Sequence, residues 1–155
     1  MKAFWRYLTI LALSVMFFAA CKSTQVLQGS NGVSLPVGVW KGMAYQYGYG
    51  YYDVTVINRG EKSPYNGTNL MGAMLLEVHY MGLNCRGLLY EVMQRLEIDA
   101  LAFLEVIIED KEDQCTQHGH LELKPTANGE QLVYRYYYPD RNTLLAKGVL
   151  ILEKQ

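Results

Sequence analysis

The chain has 155 residues, a near-balanced 14 Lys/Arg against 15 Asp/Glu, and 13 tyrosines in a half-hydrophobic composition. No Lys/Arg cluster occurs, which excludes the basic footprint that nucleic-acid binding needs. One domain fits the length, and a chain of this size encloses a real core.

The first residues read as an export signal. Lys2 and Arg6 give a positive start, Tyr7 to Phe18 is an unbroken apolar run, and the small residues Ala19 and Ala20 lead to Cys21. A dozen apolar residues are too few to span a bilayer, which takes roughly 20. The order of charge, apolar run and small-residue exit is that of a signal peptide. Phe18-Ala19-Ala20-Cys21 resembles the lipobox of bacterial lipoproteins, with Phe18 where Leu, Val or Ile is usual. The resemblance implies cleavage before Cys21, lipid on its thiol, and stable membrane anchoring through two or three acyl chains. Residues 1–20 are then a signal peptide, residues 21–37 a polar, flexible tether, and residues 38–155 the extracytoplasmic domain. Lys22, in place of an aspartate, points to the outer membrane if the source is Gram-negative. Processing removes two basic residues and leaves 135 residues with 12 basic and 15 acidic side chains, a formal net of −3.

From Gly38 the chain breaks into eight short runs of strand-forming residues: 38–47, 51–58, 73–80, 86–92, 102–109, 118–124, 131–138 and 144–153. Turn residues separate them: Gly60, Pro64 and Asn66-Gly67; Asn128-Gly129; Pro139 to Asn142. The stretch 94–101 reads as a helical turn, and no long amphipathic helix is evident. Short connections make successive strands antiparallel neighbours. Eight of them predict an all-β, up-and-down barrel, which abolishes sheet edges. A β-sandwich is the alternative.

Period two assigns faces. Leu132, Tyr134, Tyr136 and Tyr138 share one face, as do Leu144, Ala146, Gly148, Leu150 and Leu152; both sets are expected inside. Leu121 and Leu123 face in if His118, His120, Glu122 and Lys124 face out. For residues 102–109 both registers are apolar. One buries Phe103, Glu105 and Ile107; the other buries Leu104, Val106 and Ile108 and leaves Glu105 in water. If Glu105 is buried it needs a partner, such as Arg135 or Arg86. Cys85 and Cys115 are the other cysteines. Export puts them where disulfides persist, so they are expected to pair; two free buried thiols are the alternative.

The order of Gly38-Val39-Trp40-Lys41-Gly42, Cys85-Arg86-Gly87, Cys115, Gly119-His120-Leu121-Glu122-Leu123 and Ala146-Lys147-Gly148 resembles a group of small, uncharacterised bacterial secreted or lipid-anchored domains. Their barrels are similar to those of the lipocalin and avidin superfamily. The resemblance implies the fold and a structural role for Trp40 at the closed end, and it implies no activity.

Trp40, Glu105, Tyr134 and Tyr136 are the candidate ligand-binding residues. Tyr45, Tyr47, Tyr49, Tyr51 and Tyr52 either grip a ligand on a glycine-bent loop or pack on the barrel wall, and packing is expected. His118, His120 and Glu122 lie on one strand face with the spacing of a zinc site, but Lys124 continues that face, so solvation is expected. No metal or cofactor is expected, and no nucleophile elbow, HExxH or phosphate-binding glycine loop marks an enzyme. The expectation is a non-catalytic envelope lipoprotein binding a small apolar or amphipathic ligand in or on its barrel. A structural or protein-interaction module and an enzyme inhibitor are the alternatives.

Overall fold

The computed structural model describes residues 26–29, 32–64, 74–92 and 99–153. Among these residues ten strands form in chain order: β1 Val26–Gln28, β2 Ser34–Pro36, β3 Gly38–Gln46, β4 Gly50–Asn58, β5 Leu75–Tyr80, β6 Cys85–Val92, β7 Leu101–Asp110, β8 His120–Pro125, β9 Gln131–Tyr137 and β10 Leu144–Leu152. Among the described residues a single 3-10 turn, Met81–Leu83, links β5 to β6. Strands β3 to β10 close into an eight-stranded barrel in which every neighbour is the next in sequence and β10 returns to β3. All pairings are antiparallel. This is the expected up-and-down barrel and not a sandwich.

The period-two pattern drives the closure. In β4, Tyr52, Val54 and Val56 are buried while Tyr51 and Asp53 are exposed. In β3, Trp40 and Ala44 point in while Lys41, Met43 and Tyr45 point out. The inward sets form one core that includes Phe103, Leu121, Leu132 and Leu150. Each fully buried side chain of this size contributes about 1.5–3 kcal/mol. At the β10–β3 seam the backbones approach closely. A Cβ on Gly42 would strike the Val149 carbonyl, and one on Gly148 would strike the Met43 carbonyl. Gly148→Ala should therefore cost about 1–3 kcal/mol by overpacking. An unchanged denaturant midpoint would show that the seam is not tight.

The two ends of the barrel differ. One end carries β1, β2, the β3 start and the β4 finish. Within the stretch expected to be a flexible tether, β1 and β2 instead pair as a hairpin, with Leu27 opposite Leu35. Leu35 is fully buried, and Leu27 and Val33 pack against the core. The buried Asn58 amide donates to the carbonyls of both Leu35 and Pro36, at 3.1 Å each. The hairpin thus plugs this end, close to buried Trp40 near the start of β3. The opposite end is a mouth, ringed by the turns at residues 47–49, 81–84, 111–119 and 138–143.

Three further corrections concern which way a side chain faces. A β-bulge between Leu144 and Ala146 turns Leu144 outward and brings Leu145 toward the core. Tyr138 lies beyond the end of β9 and is exposed. Glu122, expected on a solvated face, is buried and sits opposite Arg135 across the β8–β9 pairing. Cys21 and the stretch 93–98, most of the expected helical turn, lie outside the described residues.

Candidate functional site: a tyrosine-lined mouth

Glu105 occupies the middle of β7, and its side chain turns inward with Phe103 and Ile107. The structure thus chooses between the two registers that the sequence left open: Ile108 is exposed, and Glu105 has no exposed surface. Its partners are not arginines. Arg86 lies outside the barrel near Glu77 and Glu109, and Arg135 faces Glu122. Two tyrosines take their place. Tyr80, from β5, donates to one carboxylate oxygen at 2.7 Å. Tyr136, from β9, donates to the other, also at 2.7 Å.

The cluster extends from there. The Tyr134 hydroxyl lies 3.4 Å from that of Tyr80, and the Tyr52 and Tyr80 rings meet edge to face at 6.0 Å. The Tyr136 hydroxyl also lies 3.1 Å from the Thr116 carbonyl, so a mouth loop shares this phenol with Glu105. Burial pushes Glu105 up to about 7, although its bonds from Tyr136 and Tyr80 pull the other way. Desolvation pushes Tyr52 up to about 12, and it raises Tyr80 and Tyr134 further. At neutral pH the phenols are therefore neutral donors around a carboxyl poised between its two states.

The cluster lies under a small cavity of about 30 Å³ that opens at the mouth. Leu83, Ile107 and Leu145 supply apolar wall, and Gln46 and Gln114 supply amides. The volume is about the share of one water molecule in the liquid. Sites for drug-sized ligands run to roughly 300–1,000 Å³. Among the described residues, Trp40, Phe103, Leu121, Leu132 and Leu150 fill the interior with fully buried side chains, and the cavity itself has no room for a drug-sized apolar ligand.

The mouth loop is latched at its middle. The Cys85 and Cys115 sulfurs lie at bonding distance across 30 residues, with Cα atoms 6.4 Å apart. Asp110 accepts from the amides of Gln114 and Cys115, which pull its carboxyl below the usual range although partial desolvation opposes them. Cys85, Asp110 and Cys115 are the one trio of potential metal ligands brought together among the described residues. With the sulfurs joined to each other, they offer no thiolate.

Three of the four candidate ligand-binding residues converge here. Glu105, Tyr134 and Tyr136 line the cavity; Trp40 does not, because it lies toward the plugged end. Of the tyrosines in residues 45–52, Tyr52 turns inward. Tyr47, at 87% exposure, projects into solvent at the rim, and Tyr45 and Tyr51 pair on the outer wall at 5.1 Å. His120 accepts from the Arg141 side chain at 3.0 Å, and its ring is held below its ordinary value by desolvation and that guanidinium. That contact opposes a metal role for the His118, His120, Glu122 face. Sequence reasoning missed Tyr80, whose only signal was its phase with Val78, and weighed Tyr52 only as part of the glycine-bent tyrosine stretch. No family model, curated protein or solved structure matches the chain.

Proposed function

We propose that this chain is a lipid-anchored, extracytoplasmic binding protein of a bacterial envelope, working through the tyrosine-lined mouth of its barrel. The anchor is Cys21, from the signal-peptide pattern and the Phe18-Ala19-Ala20-Cys21 sequence. The observation that carries the reading is the polarity of the barrel. The hairpin that begins at Val26 plugs one end, while Glu105, its tyrosines and exposed Tyr47 gather toward the other. From Cys21 to Val26 the chain reaches about 17 Å at most. The plugged end therefore stays near the bilayer, and the mouth stands roughly 20 Å farther out, given strand rise and tilt. A barrel held this way offers its distal opening to the surrounding compartment.

Two measurements test this. Cys21→Ala should leave soluble or unprocessed protein, and full membrane retention of that variant would overturn the anchor. On vesicles, a nitroxide at Ala127→Cys, in the exposed turn near the plugged end, should be relaxed by a headgroup-borne nickel chelate far more than one at Tyr47→Cys. Equal relaxation would overturn the orientation. Strongest relaxation at Val149→Cys would instead lay the outer strip of Met43, Val149 and Ile151 on the lipid, and would also overturn it.

A further inference from the structure

We propose that the mouth is a site for a single ammonium group, the head of a small alkylamine, with Glu105 as its counter-ion and Tyr52, Tyr80 and Tyr134 as its walls. The inference rests on the mouth being the working end and not on the lipid anchor.

Charge is the first argument. Glu105 is fully buried, and no Lys, Arg or His among the described residues lines its cavity. Its two phenol donors stabilise the ionised form, yet a carboxylate has about four acceptor positions and these donors use two. An entering ammonium supplies both the missing charge and further donors. The groups that face Glu105 are Tyr80 from β5, Tyr134 and Tyr136 from β9 and Tyr52 from β4, with the Thr116 carbonyl from the mouth loop. All are neutral and several are acceptors, so nothing repels a cation.

Shape is the second argument. The barrel keeps room for this cluster at two glycines. A Cβ on Gly87 would come within 2.9 Å of a Glu105 carboxylate oxygen, and one on Gly119 would collide with the Tyr136 hydroxyl. A neutral carboxyl serving only as a brace needs no space beside it, whereas this one borders a cavity of about 30 Å³ open to solvent. That space admits an ammonium head and excludes a trimethylated one. The aromatic walls favour a cation, and Leu83, Ile107 and Leu145 suit a short methylene stem.

The test is an NMR titration of the full-length mature protein in detergent with n-butylammonium at pH 8.5. Saturable shifts in the tyrosine ring signals are expected. Binding should weaken about tenfold per pH unit below pH 7, as the carboxyl that pairs with the amine takes up a proton. Glu105→Gln should abolish it, and so should Leu145→Trp, which fills the mouth without touching the carboxyl; near-UV dichroism checks that both remain folded. n-Butanol, potassium and butyltrimethylammonium at equal concentration should not compete. Absence of butylammonium binding, equal competition by any of the three, or binding that survives in folded Glu105→Gln would each overturn the inference. An anchored, correctly oriented protein that ignores butylammonium would overturn this inference alone.

Discussion

Raising the pH from 4.5 to 8 should lower the folding stability of this protein by about 3 kcal/mol relative to its Glu105→Gln variant. Below pH 4.5 the Glu105 carboxyl is protonated in both the folded and unfolded chain and contributes nothing to the slope. Between 4.5 and about 7 the unfolded chain releases this proton while the folded chain holds it, because burial disfavours the charge. The folded state therefore loses about 1.36 kcal/mol of relative stability per pH unit across this window. Above about 7 both states are ionised and the loss levels off. His120 acts in the opposite sense within the same window, since its folded ring resists protonation; its effect cancels in the comparison with the variant. Glu77 and Asp110 are held low in the folded state, so they act mainly at more acid pH. Urea unfolding of both proteins at pH 4.5, 6 and 8 reads the difference directly. Parallel pH profiles would show that Glu105 is not buried as described.

Replacing both cysteines, Cys85→Ser with Cys115→Ser, should cost about 3–4 kcal/mol, the chain-entropy value for a 30-residue loop. For a domain of this size that is a fall of roughly 10–15 °C in melting temperature. The same fall should appear in the unaltered protein on addition of a reductant, and the variant should then be insensitive to it. The site should suffer with the fold, because Gln114, Cys115 and Thr116 of the latched loop all line the mouth. A variant that melts with the native protein would mean that the sulfurs contribute no cross-link.

The barrel strands were legible as short runs of strand-forming residues between turn signals, and the clearest of them alternate against a one-sided core, as Val54 and Val56 do against Asp53 and Thr55. The cysteine pairing followed from the expected compartment. What stayed illegible has physical reasons. In β7 both faces are apolar, so period two could not choose a side for Glu105; Leu104 and Val106 are themselves half-buried on the outer wall. The bulge at Leu144 carries no glycine or proline to announce it. The plug hid in a Gly- and Ser-containing stretch whose Leu27, Val33 and Leu35 were too few to read as strands. The partner of Glu105 was sought among cations, because a lone buried carboxylate is costly. Tyrosine hydroxyls meet the need differently, by donating bonds without adding charge.

The closing seam bears on how the chain reaches its destination. Trp40 pairs with Leu152, and Tyr45 with Lys147, so the first barrel strand waits for the last. Contacts this distant in sequence form late and slowly. Until some 110 residues beyond Trp40 have been synthesised, no closed structure is available to the earlier strands. Under the export proposed above, a polypeptide threaded through a membrane would stay loose enough for transport and acquire its shape on the far side.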